Sequence, residues 1–340
     1  MKLLLEKISR GRTLTSEESY SAMQFICSTQ NENAKIAAFL AILHNRGETK
    51  DEILGFIKYI REQSLRVNLN DASVIDVCGT GGDHAGSFNI STTAALLLAS
   101  AGVKVAKHGG RSVSSQCGFL DVVEALDLPL CNTPIDVATQ INQHQIAFIS
   151  AGIFNPVFKK ISALRKELGI RTVFNLLGPL VSPVDVKRQV IGVYDKKLLQ
   201  PVAEILMQLN CSEAMIIHSF DGLDEISISA PTNILHLRGG MIEQFTITPE
   251  QCGLSRGSLD SIKGGNAAEN AVIIQQIFCG QQGPRRDVVV LNAAAGFVVA
   301  GKTNSINEGV LLANEIIDSG QAEYFLKKLN QAGVYEKSIS

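Results

Sequence analysis

Four glycines, Gly79, Gly81, Gly82 and Gly86, crowd the stretch DVCGTGGDHAGSFNISTTAALLLAS, after a buried-looking strand and before a helical pattern that opens around Asn89 to Ser91. Glycine lets backbone N–H groups approach a ligand, and a helix N-terminus adds partial positive charge, so this order suits a phosphate or pyrophosphate. The stretch is neither a Walker loop nor GxGxxG, and a tight strand-to-helix turn capped by Asn89 or Ser91 accounts for the same residues without a ligand. Asn89, Ser91 and Thr92 are donors or caps. Asp83 beside an anion could accept from a ribose hydroxyl or hold a metal-bound water.

A second loop, KHGGRSVSSQCG, sets Lys107, His108, Arg111, Ser112, Ser114 and Ser115 around two glycines, a donor set able to surround a pyrophosphate from a second side. A solvated polar loop is the lesser alternative when this stretch is taken alone. In HSFDGLDEISIS, Asp221, Asp224 and Glu225 follow a strand and are the hard oxygen ligands that magnesium takes when it bridges phosphates. A solvated acidic turn is the ordinary explanation of such a run, and the two donor loops tip the balance toward metal. Arg165, Lys166 and Arg171 lie on and after a helix in NPVFKKISALRKELGIRTVFNLLGPL, where a solvated helix face explains them equally. The six histidines have no metal spacing, and no Ser-His-Asp or Cys-His arrangement can be assigned.

The elements that must position these loops alternate. SVIDVCG, VKVAKHG, QIAFISA, RQVIGVYD and EAMIIHS are short β-branched runs, mostly followed by helical patterns, which predicts a largely parallel sheet covered by helices. NILHLRGGMIEQFTI reads as a hairpin turning at Gly239-Gly240, and helices close the chain. The first seventy residues carry only helical signals, with capping boxes at Thr15-to-Glu18 and Thr49-to-Glu52 and a domain boundary near NLNDAS. At 340 residues with 45% hydrophobic content, two domains are expected. A net charge of -2 supplies no field for gathering nucleic acid or anionic membrane. Seven cysteines without a C-x-x-C pair point to a reducing cytoplasm, and MKLLLEKISRGR is too short an apolar run for a signal peptide or membrane span.

With these residues in hand, the chain resembles the anthranilate phosphoribosyltransferases from its N-terminal helices to its last helical pair. The resemblance rests on GTGGD at 79–83, SFNIST at 87–92, KHG-x-RSVSS at 107–115, RKELGIRTVFNLLGPL at 165–180, DGLDE at 221–225, and GGNAAENA with GPRRD near the C-terminus. It implies an α/β fold similar to the nucleoside phosphorylases. A helical domain at 1–70 would dimerise, with part of 165–185 packing on it, and an α/β domain at 71–340 would bind phosphoribosyl pyrophosphate in the cleft between them.

The implied activity is transfer of the phosphoribosyl group to anthranilate in tryptophan biosynthesis, in a cytoplasmic, magnesium-dependent homodimer. Carried over by position, Gly79, Gly82, Asp83, Ser87, Asn89, Ile90, Ser91 and Thr92 would bind substrate, as would Lys107, His108, Gly109, Gly110, Arg111, Ser112, Val113, Ser114, Ser115 and Phe119. Ser91, Asp224 and Glu225 would hold magnesium. Lys107 would stabilise the departing diphosphate, and Arg165 would meet the anthranilate carboxylate.

Three positions depart from the family pattern: Gly110 replaces Asn, Phe119 replaces a small residue, and Asn155 replaces His. They keep two rivals in view, a different aromatic amine acceptor and a non-enzymatic relative that binds nucleic acid; a phosphorylase of related fold is a third, although DGLDE and the two-loop anion site suit a magnesium diphosphate better than bare phosphate.

Overall fold

The structure, a computed structural model, describes residues 1–28, 32–69, 71–83, 85–111 and 117–339. Four helices open the chain, α1 (Lys2–Ser9), α2 (Ser16–Ser28), α3 (Asn33–Arg46) and α4 (Lys50–Gln63). Both expected capping boxes form. The Glu18 N–H donates to Thr15 Oγ1 at 3.2 Å while Glu18 accepts from the Thr15 N–H at 2.8 Å, and Thr49 and Glu52 repeat the exchange at the start of α4. Glu52 does more than cap: fully buried, it also accepts from the Leu14 N–H at 2.8 Å and pairs with Arg46, tying the α1–α2 connection to α4.

The chain continues through β1 (Ile75–Gly79), α5 (Ile90–Ser100), β2 (Val105–Gly109), α6 (Phe119–Ala125), β3 (Leu130–Cys131), α7 (Pro134–His144) and β4 (Ile146–Ser150). Three helices follow, α8 (Ala151–Phe154), α9 (Pro156–Leu168) and α10 (Val173–Leu180). After them come β5 (Arg188–Gly192), α11 (Leu199–Gln208), β6 (Glu213–Ser219), β7 (Thr232–Arg238) and β8 (Met241–Ile247). The closing helices are α12 (Ala267–Phe278), α13 (Pro284–Val299), α14 (Ile306–Asp318) and α15 (Gln321–Ile339).

Two compact units result, one of residues 1–66 with 151–183 and one of 67–150 with 184–340. In the helical unit α9 packs on α2, α3 and α4, and α10 on α3 and α4. The whole of 151–183 thus joins the N-terminal helices, because Val157, Ile161, Leu164, Val173 and Phe174 bury their side chains there.

The second unit is built on one eight-stranded sheet, ordered β3-β4-β2-β1-β5-β6-β7-β8. The strands from β3 to β6 are parallel, and the β7–β8 hairpin adds antiparallel strands at the edge. This is the mainly parallel sheet that the alternation predicts, turning at Gly239-Gly240 as read. Strand β3, of two residues, was not foreseen because so short a segment carries no periodic signal. Helix α5 packs on β1 and β2 and is covered by α13, α14 and α15, which explains why STTAALLLAS is apolar on every side. With β2, β1, β5 and β6 adjacent and parallel, the loops after β1, β2 and β6 leave the same edge of the sheet, where such folds bind ligands. The seven cysteines carry thiols, and among the described residues no helix is long and apolar enough to cross a membrane.

Glu52→Ala removes one partner of a buried pair together with three backbone and hydroxyl contacts. We expect it to lower unfolding stability by about 3 to 5 kcal/mol in urea denaturation. A loss below 1 kcal/mol would show that this anchor is dispensable.

Candidate active site

Strands β1 and β5 end side by side in glycines, with Gly79 opposite Gly192. The loop after β6 lies directly on them. A Cβ on Gly192 would sit 1.4 Å from the Asp224 carbonyl oxygen, and one on Gly79 would sit 2.3 Å from Asp224 Oδ2. Only two side-chain-free residues let DGLDE rest on the sheet edge. The loop after β1 then closes on it: the Gly81 N–H donates to Asp224 Oδ2 at 2.6 Å, and the Thr80 N–H to the Gly192 carbonyl at 2.9 Å. Two amides of the glycine loop therefore bind protein rather than pointing toward an incoming anion.

Glu225 reaches the N-terminus of α5, where its Oε1 accepts from the Ser91 N–H at 3.0 Å. This carboxylate takes over the capping task that Asn89, the N-cap residue, does not perform with its own side chain. The second oxygen, Glu225 Oε2, is buried and has no hydrogen-bond partner among the described residues. Asp221 works differently, accepting from Ser227 Oγ at 2.6 Å, from Ser229 Oγ, and from the Leu223 N–H at 3.3 Å. It folds the acidic loop, while Asp224 and Glu225 face the sheet edge.

Electrostatics follow from this packing. Burial, reinforced by the neighbouring Asp83, pushes the Asp224 carboxyl up to about 7. Burial and the charges of Asp224 and Asp83 push Glu225 well above the usual carboxylate range, opposed by Lys107 and the Ser91 N–H. The Lys107 side chain is buried, donating to Ser91 Oγ at 3.1 Å and to the Val77 carbonyl, with the Phe119 ring centre 5.9 Å from its ammonium. Phe119 also leans on Gly109, where an added Cβ would come within 2.9 Å of the ring, and on Phe148 at 6.0 Å between centroids.

Other expected residues are used in several ways. His108 is buried, and burial together with Lys107 lowers its imidazole to about 4, so it is neutral at pH 7. Arg111 is clamped by Asp121 and Glu124 of α6, each at 2.5 Å. The Ile90 and Thr92 side chains are buried in the first turn of α5, so contact with a substrate there falls to the backbone. Ser87 bridges to Lys263, and a side chain at Gly110 would meet nothing within 4 Å. Ser112, Val113, Ser114 and Ser115 lie outside the described residues.

In the helical unit, Arg165 Nη2 donates to Asn175 Oδ1 at 3.2 Å and its guanidinium carbon lies 5.8 Å from the Phe174 ring centre. Burial lowers its pKa, and among the described residues no carboxylate pairs with it. Asn155 is fully buried, donating to the Val181 carbonyl at 3.1 Å and accepting from Ser64, so this departure from the family pattern serves the packing of the helical unit.

Sequence reasoning passed over Asp76, Gly192 and Asn270. Asp76, buried beside Lys107 and pushed up to about 6 by burial, looked like an ordinary strand residue, and Gly192 like a strand end. Asn270 stood within a quoted motif to which no chemistry was attached.

The donor set suits a magnesium ion. Asp224 and Glu225 set two buried carboxyl groups beside Asp83, where burial and mutual repulsion disfavour their ionised forms in the absence of a cation, and among the described residues Glu225 Oε2 has no hydrogen-bond partner. Among the described residues no three His, Cys, Asp or Glu side chains form a ready cage. The protein therefore offers a partial ligand set, as magnesium sites that share phosphate ligands do.

Known proteins match this arrangement over its whole length. Residues 2–64 match the helical bundle domain of a glycosyl transferase family and residues 71–323 match its a/b domain. Anthranilate phosphoribosyltransferase of Petrotoga mobilis is 45% identical over 99% of this chain and 97% of its own. The chain belongs to the anthranilate phosphoribosyltransferase family.

Solved members superpose closely. The Thermus thermophilus anthranilate phosphoribosyltransferase gives a TM-score of 0.88 at 37% identity, covering 96% of this chain and 98% of its own. The Saccharomyces cerevisiae enzyme, in complex with phosphoribosyl pyrophosphate and magnesium, gives 0.88 at 28% identity over 97% of both chains. A further yeast structure holds 4-fluoroanthranilate, with a TM-score of 0.86 at 27% identity over 97% of both chains. Membership of the anthranilate phosphoribosyltransferases makes the chain an enzyme of the glycosyltransferase type.

His108 gives this site a measurable pH signature. In the fold it stays neutral down to about 4, whereas the unfolded chain takes up the proton near 6.5. The unfolded state binds more protons between those values, so the His108 contribution is complete above pH 6.5 and is lost as pH falls through that window. Between pH 7 and pH 5 the loss is about 2 kcal/mol. Urea denaturation of His108→Gln should show a shallower decline over that range, and parallel curves for variant and wild type would refute the assignment.

Proposed function

We propose that the chain transfers the phosphoribosyl group of 5-phosphoribosyl 1-pyrophosphate to anthranilate, giving N-(5-phosphoribosyl)anthranilate and pyrophosphate in tryptophan biosynthesis. The observation that carries this reading is Glu225, with one oxygen capping α5 and the other buried beside Asp224 with no partner among the described residues. A magnesium diphosphate would complete that group of acceptors. Gly79, Gly82, Asp83, Ser87, Asn89 and the first turn of α5 would meet the phosphoribosyl donor, with Lys107 and the loop after β2. Ser91, Asp224 and Glu225 would hold magnesium, which when bound would neutralise the diphosphate.

The reaction joins the anthranilate nitrogen to the anomeric carbon as the bond from that carbon to the diphosphate oxygen breaks. An arylamine is neutral at pH 7, so its nitrogen attacks without prior deprotonation and then gives up one proton to the departing pyrophosphate or to water, and the enzyme can act through positioning and charge. The Lys107 ammonium, dry and fixed by Val77 and Ser91, is preorganised to stabilise negative charge on a leaving diphosphate. In the helical unit, the desolvated Arg165, which has no counter-ion among the described residues, suits the anthranilate carboxylate. The same reading takes the chain as a cytoplasmic homodimer associating through its helical unit.

Consumption of anthranilate, followed by its fluorescence, tests the proposal. We expect magnesium-dependent turnover that falls at least about 100-fold in the Asp224→Asn, Glu225→Gln double variant. Arg165→Met should raise the KM for anthranilate by about 10-fold to 100-fold with little change for phosphoribosyl pyrophosphate, the loss of one charge-assisted contact. Purified, folded protein that turns over neither with nor without magnesium would refute the reading.

A further inference from the structure

The corner where α12 meets α5 joins Asn89, which the proposed chemistry places at the phosphoribosyl donor, to two polar side chains that it does not use, Asn270 and Cys117. Asn270 Nδ2 donates to Asn89 Oδ1 at 2.9 Å, and the Cys117 thiol donates to the same oxygen at 3.4 Å. Asn270 is buried, and its own Oδ1 accepts from the Gly265 N–H at 2.8 Å. The corner is tightly built: a Cβ on Gly264 would lie 2.7 Å from both Asn270 Oδ1 and the Phe88 Cα. The Gly264 N–H donates to Gly86 and the Phe88 N–H to Ile262, so the start of α12 is stitched to the approach to α5.

The orientation of two amides follows from one donor. A backbone N–H can only donate, so Gly265 fixes the end of Asn270 facing it as the oxygen. The other end of Asn270 is then the NH2 group, and the Asn89 atom it meets must be the carbonyl oxygen. Asn89 is thereby locked with its oxygen turned toward α12 and its NH2 group on the opposite end of the amide. Among the described residues nothing accepts from that NH2 group. Asn89 is also relieved of capping, since Glu225 holds the Ser91 N–H.

We propose that Asn270 is a positioning residue that sets the amide of Asn89, so that Asn89 presents a donor rather than an acceptor to the anionic phosphoribosyl substrate. This rests on the proposed phosphoribosyl transfer and adds a residue to it. Unlocked, an asparagine offers either end, and an oxygen turned toward a phosphate or diphosphate repels it.

Asn270→Asp separates this role from simple packing. The aspartate keeps an acceptor for the Gly265 N–H but replaces the donor to Asn89 with a second acceptor, which turns the Asn89 oxygen outward. Asn270→Ala removes the donor without adding charge. We expect the KM for phosphoribosyl pyrophosphate to rise at least about 10-fold in Asn270→Asp and by less in Asn270→Ala, with the KM for anthranilate unchanged.

The deciding measurement is the double-mutant cycle with Asn89→Ala. If Asn270 acts through Asn89, either Asn270 variant changes the KM for phosphoribosyl pyrophosphate by less than about twofold in that background. A full effect there, the signature of added charge or disturbed folding, overturns the proposal, as does an Asn270→Asp enzyme with wild-type kinetics. Should Asn270→Asp fail to fold, by its thermal transition, the Asn270→Ala cycle carries the same decision. Calorimetric titration of the wild type with phosphoribosyl pyrophosphate and magnesium separates the two failures. No binding there overturns the underlying reading and this inference with it, whereas binding together with a full Asn270 effect in the Asn89→Ala background overturns the inference alone.

Discussion

Asp224 rests on two strand ends that carry no side chains, and its neighbour Glu225 caps the helix that follows the first of those strands. That contact joins the loop after β6 to the loop after β1 across 134 residues of sequence. Neither carboxylate enjoys a favourable environment as a charge: both are buried, and they repel each other and Asp83. The backbone N–H groups of Gly81 and Ser91 offset only part of that cost. A fold selected for stability alone would place neutral side chains there. The proposed function would give this acceptor set a cation that brings its own phosphate ligands, and the strand-end glycines make room for Asp224.

Lys107 is the counterpart of this strain. Its ammonium is fixed between the Val77 carbonyl and Ser91 Oγ, beside Asp76 on the neighbouring strand, so positive charge is held beneath the same edge. Phe119 completes the enclosure, and its ring needs Gly109 to be glycine. The two residues form one packing unit, and a small residue at 119 would leave space that Gly109 does not fill. The departure from the family pattern at Phe119 therefore changes the surroundings of Lys107 as well as its own position. At Gly110 there is no corresponding packing partner, and at Asn155 the substitution is absorbed by hydrogen bonds within the helical unit.

Much of this was legible in the sequence, for local physical reasons. Capping boxes at Thr15 and Thr49, the glycine turn at 239–240 and the strand–helix alternation act within a few residues, and each is where the pattern put it. Strand β3 was too short to read, and the membership of 151–183 in the helical unit depends on long-range burial that no local pattern encodes. At the site, the acidic run announced carboxylate chemistry but not its division of labour. Asp221 turned out to fold the loop because Ser227 and Ser229 converge on it, and that convergence appears only in three dimensions. Arg111 looked like an anion ligand for the same reason that it pairs with α6: a guanidinium takes whichever carboxylates lie within reach.

Asn89 illustrates why residue type and spacing stop short of function. An asparagine just before a helix reads as a cap, and the structure gives that task to a carboxylate from a distant loop. What remains is an amide whose direction is set by a chain of donors beginning at the Gly265 backbone, in the loop that leads into α12, far away in sequence. Because a peptide N–H has no alternative role, each amide down the line has its orientation determined by the one before. Polar side chains facing an anion gain most when their donors are aimed before the ligand arrives, since none of the binding energy then goes into turning them. The motif GGNAAENA lies outside the three ligand loops, and this propagation of direction gives it a physical reason to belong with them.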